Sequence, residues 1–377
     1  MNKLKRGIIL TITLVLFLSF PVLNAVQAGL IFEDNFDATP DWNVQHEYDG
    51  ECSVGLCAAN TYPGNWTLYR IVPGSGGLSP VGSIRRLPGN AADHTSNTGK
   101  AFVVYNESVP NVNWPGDAIL GKNFGPSANY NELYVRFWLR TQPGWQQVSS
   151  MSNKIFRASH WRQESSYPNI FQWADQNTPF QIWSFGASNG NAAFINSYRC
   201  EGTPYTSNGR SSDYYCGNPT YDECISAGGD TTECTRLYVY PNGGDFRTDN
   251  YQVFNGGVPT AASNFADGQW HQYDFRLKVN DSGVANGTFE WKYDGKVMES
   301  YSHVMWKESS ASSSIGWNAF AIGGNSDNIF GGSTVAEQWY AIDDVVVSTT
   351  PIPADYVPGG GSSGTAPPAP PANLRTR

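Results

Sequence analysis

The chain has 377 residues and a formal net charge of −9, with only 15% charged residues against 14% aromatic ones. An acidic surface repels phosphate, so nucleic acid is excluded as a partner, and a uronate-rich ligand would need a local basic stripe instead of help from total charge. A G-x-x-x-x-G-K-[ST] motif is absent, and the matches to G-x-S-x-G (186-GASNG-190, 360-GGSSG-364) and G-x-G-x-x-G (359-GGGSSG-364) fall in a Gly/Asn/Ser turn cluster and the Pro/Gly/Ser-rich tail instead of opening a helix after a strand, so nothing suggests a nucleophile elbow, a P-loop, a dinucleotide site or an organic cofactor.

Lys3, Lys5 and Arg6 precede an apolar run from Ile8 to Phe20 that ends near Val26-Gln27-Ala28, the pattern of a secretory signal peptide over residues 1–28. Its apolar core is too short to span a bilayer, and nothing downstream is long and apolar enough to do so. The expectation is a secreted, extracellular or periplasmic protein with no membrane insertion. Loss of Lys3, Lys5 and Arg6, three of 24 basic residues, takes the net charge to −12.

The first alternating segment is 30-LIFEDNF-36, followed by 101-AFVVYN-106 and 133-LYVRFWLR-140. In the last of these a strand period places Val135, Phe137 and Leu139 on one face and Tyr134, Arg136, Trp138 and Arg140 on the other. Arginines interleaved with aromatic rings suit a groove for an anionic sugar chain, because guanidinium forks bind carboxylates bidentately. A solvated face whose arginines pair with local acids fits the same pattern. A basic cluster follows at Lys154, Arg157, His160 and Arg162, and then 180-FQIWSFG-186, where Gln181 and Trp183 share a strand face that could join the groove.

Residues 196–250 hold Cys200, Cys216, Cys224 and Cys234, and read as a long loop pinned by disulfides. Six cysteines allow 15 pairings. The least demanding choice closes Cys52–Cys57 and staples 200–234 with the other four. Beyond this insertion come 270-WHQYDFRLKV-279 and 286-NGTFEWKYDGKVMES-300. In the second, Phe289, Trp291 and Tyr293 alternate with Thr288, Glu290 and Lys292, and Asp294-Gly295 turns the chain, which is a strong hairpin signal. His271 at the start of the first is expected to be structural. Two more segments, 317-WNAFAIGG-324 and 339-WYAIDDVVVS-348, complete the domain over 29–349, and a Pro/Gly/Ser-rich tail occupies 350–377. Many short strands separated by turn clusters predict an all-β sandwich of two large antiparallel sheets.

The stretches 32-FEDNFD-37, 267-DGQWHQYDFRLKVND-281, 286-NGTFEWKYDGK-296 and 342-IDDVVVS-348 resemble the concanavalin A-like lectin and glucanase superfamily. Within it the chain is most similar to jelly-roll polysaccharide lyases of the alginate and glucuronan type. The resemblance implies a concanavalin A-like β-jelly-roll sandwich. It also places Lys154 where such lyases have a catalytic lysine, although the segment here reads Lys-Ile-Phe-Arg and lacks the Pro-Gly of the family's stretch. The glucanase pattern Glu-x-Asp-x-(x)-Glu on a single strand is missing.

Removal of the proton α to a uronate carboxylate needs that carboxylate neutralised, a base, and an acid for the leaving oxygen. The expected assignments are Lys154, Arg140 and His160 for catalysis and Tyr134, Arg136, Trp138, Arg157, Gln181 and Trp183 for substrate. Glu33, Asp34 and Asp343 are candidate ligands for a structural calcium ion. Two functions therefore stand side by side: a lyase cleaving a uronate-containing polysaccharide, and a non-catalytic carbohydrate-binding or surface-adhesion module. Both expect a monomer with a polysaccharide partner.

Overall fold

The computed structural model describes residues 29–43, 63–73, 82–85, 99–107, 116–145, 152–160, 179–188, 191–200, 221–238, 246–248, 267–307, 314–325 and 337–359. The signal peptide, Cys52, Cys57, Arg162 and Cys216 lie outside them.

Two antiparallel sheets form the molecule. The nine-stranded sheet runs β14 (Lys296–Val304), β13 (Gly287–Tyr293), β12 (His271–Lys278), β7 (Glu132–Thr141), β16 (Glu337–Ser348), β5 (Ala101–Glu107), β4 (Gly82–Arg85) and β2 (Trp42–Asn43), with β1 (Leu30–Asp34) also pairing β16. The seven-stranded sheet runs β11 (Phe246–Thr248), β10 (Asn191–Cys200), β9 (Pro179–Ser188), β8 (Ser152–Ser159), β15 (Ala319–Asn325), β6 (Gly116–Asn123) and β3 (Leu68–Pro73). Neighbouring strands are mostly far apart in sequence, as in β7 beside both β12 and β16, so the order is that of a concanavalin A-like β-jelly roll.

Alternation decides which face each strand turns inward. In β7, Leu133, Val135, Phe137 and Leu139 are buried in the core, and β12 and β13 contribute Tyr273, Phe275, Leu277, Phe289 and Trp291 in register beside them. From the opposite sheet come Phe156 of β8 and Trp183 of β9. Phe156 lies 4.6 Å from the Phe275 ring and 6.1 Å from Phe137, and Trp183 lies 5.4 Å from both Phe275 and Trp291. Edge-to-face and tilted aromatic pairs of this kind each add about 1 kcal/mol beyond the area they bury. The hairpin is as expected: Phe289, Trp291 and Tyr293 are buried while Thr288, Glu290 and Lys292 are half-buried, and Asp294 (φ 47°) and Gly295 (φ 76°) make the turn.

Two expectations are corrected by this architecture. Residues 196–250 are not an unstructured loop: they hold the end of β10, helices α1 (Tyr221–Ser226) and α2 (Thr231–Tyr238), and β11. A disulfide joins Cys224 to Cys234 across the two helices, both sulfurs lying in the core cluster. The tail also begins later than position 350. Residues 351–356 lie against the outer face of the nine-stranded sheet, where Arg136 donates from Nη1 to the Pro353 carbonyl (2.6 Å) and from Nη2 to the Ile352 carbonyl (3.4 Å), and Tyr356 donates to Glu33.

Candidate functional site

The residues expected to form one groove fall on opposite outer faces of the sandwich. Tyr134, Arg136, Trp138 and Arg140 do point away from the core, as the period of β7 requires. Their face, however, is the outside of the nine-stranded sheet. Lys154, Arg157 and His160 belong to β8 and its end, in the other sheet. Since Phe137 and Phe156 pack between the sheets, Arg136 and Arg140 are separated from Lys154 by the whole aromatic core and by two layers roughly 10 Å apart. The set Lys154, Arg140 and His160 does not converge.

On the nine-stranded face every cation that lines the strap region has an acid beside it. Arg136, 5% exposed, places Nε 2.6 Å from Asp274. Arg276 meets Glu132 at 2.7 Å and sits over the Tyr134 ring, whose hydroxyl donates to the same Glu132. Lys292 pairs with Glu290 at 3.2 Å. Arg140 donates to the Gly268 carbonyl at 2.6 Å and covers Trp339. A hollow of about 240 Å³ opens between Tyr134, Arg136, Gln272, Asp274 and Arg276 and the strap residues Pro351, Ile352 and Ala354. Its charges are already matched. The arrangement is a solvated ion-pair lattice that anchors the strap.

At the rim of the inner face, opposite Leu139 and in phase with Tyr273, His271 stacks on Tyr293 and is held between two carboxylates, with Nδ1 2.7 Å from Asp294 and Nε2 3.2 Å from Asp267. Burial pulls its pKa down, but the hydrogen bonds and charges of the two aspartates outweigh it and raise the value to about 9. The ring is thus fixed on both nitrogens by side chains of the turn and of the segment before β12.

The outer face of the seven-stranded sheet is built differently. In β8 the register slips between Lys154 and Phe156: Lys154 opposes Ser184, Phe156 opposes Trp183, and Arg157 opposes Ile182. Without this bulge, residues three apart would lie on opposite faces. With it, Lys154 and Arg157 share the face of Ser184, away from inward-facing Trp183. Arg157 opposes Ala321 of β15 and Ser159 opposes Ala319, so small side chains form the floor. Arg157, Ser159, Ser184 and Ala321 are all buried, whereas Lys154 is half-buried, so the lysine is the accessible point of a sheltered face. Gly324 of β15 permits this packing: a Cβ there would stand 2.2 Å from the Lys154 carbonyl oxygen and 2.7 Å from its Cβ.

Backbone register extends the basic character across the sheet. Arg70 of β3 opposes Ile119, Arg199 of β10 opposes Phe180, and Arg247 of β11 opposes Ser197, all in phase with Arg157. Counting strand positions in that phase, five basic residues (Arg70, Lys154, Arg157, Arg199, Arg247) accompany one acid, Asp117. Three of these arginines escape sequence reading. A signal existed, since Tyr69-Arg70, Phe156-Arg157, Tyr198-Arg199 and Phe246-Arg247 all join an aromatic residue to arginine, but Phe275-Arg276 in the other sheet has the same form.

The remaining candidates are placed elsewhere. Trp183 is fully buried in the core, and Gln181 pairs with Ala158 in the same inward phase, so neither belongs to the outer face as substrate-binding residues. His160 is buried with Nδ1 2.7 Å from the Gly316 carbonyl oxygen; a carbonyl only accepts, so Nδ1 bears the proton and the ring is anchored to the backbone. Glu33 and Asp34 are adjacent on β1 and face opposite ways. Glu33 accepts from Tyr356, while Asp34 accepts from the Phe36 amide and from Trp66 Nε1, both at 2.7 Å. Asp343 is buried at a bulge of β16 and accepts from the Asp344 amide at 2.8 Å. Glu33, Asp34 and Asp343 therefore do not form a calcium cluster, and no group of three His, Cys, Asp or Glu among the described residues is arranged to hold a metal ion.

No protein-family model matches the chain, and neither does any curated protein. Among solved structures, the alginate lyase Aly36B shares 16% identity at a TM-score of 0.38, covering 82% of this chain and 95% of its own. An endo-β-1,4-glucuronan lyase from the fungus Trichoderma reesei shares 13% identity at 0.34, covering 76% and 96%. The alginate lyase vAL-1 from a Chlorella virus shares 9% at 0.40, covering 75% and 93%. The likeness is one of fold, that of jelly-roll polysaccharide lyases. No helix among the described residues is long and apolar enough to cross a membrane.

Proposed function

We propose that the chain is an exported polysaccharide lyase that cleaves a uronate-containing polymer by β-elimination on the outer face of its seven-stranded sheet. The observation that supports this most is the bulge in β8, which gathers Lys154 and Arg157 onto one sheltered face whose strand positions are basic in a protein of net charge −9. Such a face attracts a polyanion locally while the rest of the surface repels it.

The chemistry follows from the two side chains. Arg157 offers a guanidinium to the uronate carboxylate and offsets the negative charge that builds as the α-carbon loses its proton. Lys154, once it has given up its own proton, takes the α proton. The released electron pair forms the carbon–carbon double bond, the β carbon–oxygen bond breaks, and the departing oxygen is protonated by a donor from water or the site. Small residues such as Ala319 and Ala321 leave room for a sugar ring over the sheet.

Incubation with alginate, glucuronan and related polyuronates tests this through the ultraviolet absorbance of the conjugated, unsaturated uronate at the new chain end. Absorbance should rise on at least one polymer. No rise on any of them, with binding retained, would reassign the face to a non-catalytic carbohydrate-binding module.

A further inference from the structure

Strand β14 is the outermost strand of the nine-stranded sheet and presents backbone groups that another strand could pair with. Its register against β13 breaks near its C-terminal end: Phe289 opposes Tyr301 and Gly287 opposes Val304, so Ser302 and His303 together face the single residue Thr288. A bulge of this kind leaves consecutive amides without ladder partners. Here one side chain takes both. Glu233 of α2 accepts from the Ser302 amide at 2.5 Å and from the His303 amide at 2.9 Å through Oε1, and its Oε2 lies 2.7 Å from His303 Nδ1.

The position of Glu233 is itself built. Asp230 accepts from the Glu233 amide at 2.8 Å and starts α2, and the Cys224–Cys234 bridge ties that helix to α1 one residue beyond Glu233. The turn between the helices passes so close to the sulfurs that a Cβ at Gly229 would stand 2.5 Å from Cys234 Sγ. Among the described residues no strand pairs with the outer edge of β14, and Val297 on it is 48% exposed.

We propose that the disulfide-closed helical hairpin 221–238 is an edge guard: by seating Glu233 on the bulge of β14 it denies that edge to a second copy of the chain. The occupant follows from chemistry on the edge itself, since a strand with an exposed valine and freed amides pairs best with an identical strand running antiparallel to it.

The test compares the oxidised full chain with Glu233→Ala and with Cys224→Ser/Cys234→Ser by light scattering coupled to size exclusion over a range of concentrations. Both variants should shift toward dimers or larger species at concentrations where the parent does not. Adding Val297→Lys to Glu233→Ala separates edge pairing from general unfolding, because a lysine on the open edge blocks strand addition without touching the core. That double variant should return to the parent's size. Unchanged size in both primary variants would overturn the proposal, and so would association that Val297→Lys fails to reverse. If a primary variant loses its far-ultraviolet strand signal, the same comparison is made with Glu233→Met, which keeps a long side chain on the helix but removes the oxygen that accepts from both amides and should associate; no association there would also overturn it.

Discussion

The two sheets of the sandwich differ in how charge is distributed over the strand positions of their outward phases. On the nine-stranded sheet Arg136 and Arg276 are matched by acids at 2.6 and 2.7 Å, and Arg136 is sealed under the strap at 5% exposure. On the seven-stranded sheet the strand positions in phase with Arg157 offer five basic residues and one acid. Charges matched in pairs stabilise a fold and have little left for a ligand, whereas a concentrated field of one sign is suited to recruiting a polyanion. The first face is read as architecture and the second as the place of function.

The largest effect expected from this contrast belongs to Lys154. Lys154→Ala should lower turnover by about 10²- to 10⁴-fold, the usual contribution of a positioned base, while polymer binding and melting temperature change little. Product formation at saturating polymer and a separate binding measurement check it. Equal loss of binding and turnover would make Lys154 a docking residue. Gly324→Ala sharpens the assignment from the neighbouring strand. Its new methyl group would collide with the Lys154 backbone, so it should displace the lysine and lower turnover even where the fold survives. The rate at which an acylating reagent modifies Lys154, read by mass spectrometry, reports that displacement whether or not the enzyme is active.

Arg136→Ala is the mirror experiment on the other face. It strands Asp274 and frees two strap carbonyls, a buried-pair loss that typically costs about 3 kcal/mol. The thermal midpoint should fall clearly, with turnover of the remaining folded protein unchanged. Ending the chain after residue 349 should reproduce most of that loss, and ending it after 359 should not. A fall in turnover with unchanged stability would return Arg136 to the functional face and dissolve the contrast.

Much of the fold was legible in the sequence because period-two alternation is a backbone property. The segments containing β1, β5, β7, β9, β12, β13, β15 and β16 all announce themselves that way, and the Asp294-Gly295 turn fixes its hairpin without help from distant residues. The site was half legible. Lys154 and Arg157 stood out as a basic cluster, but the bulge that unites them breaks the alternation by which strand faces are read, since Ile155 and Phe156 are both buried. Arg136 and Arg140 misled for the complementary reason: their period correctly turned them outward, but sequence does not say which sheet β7 joins or that 351–356 folds back over it. The pairing of β8 with β9 and β15 is set by long-range contacts, and only these decide which outward faces are shared.

The smallest effect concerns His271 at the rim of the inner face of the same sheet. The folded-state pKa of His271 is raised to about 9 from an ordinary value near 6.5. The contribution to stability is then complete below about pH 6.5 and is lost as the pH climbs through about 9, because the folded chain alone still holds the proton over that window. The difference corresponds to about 3 kcal/mol, shared between Asp267 and Asp294. Melting temperatures taken between pH 6 and about pH 10 should therefore decline for the parent chain, and His271→Gln should start lower and follow a flatter course. Because the imidazolium pins the start of β12 to the Asp294 turn through a 2.7 Å contact, the variant should also raise hydrogen exchange at the Gln272 amide, which Asp294 otherwise accepts at 2.8 Å. An identical pH slope in both proteins would mean that His271 is neutral between its aspartates, and the arginine pairs across β12 would then be the charged contacts that hold this part of the sheet.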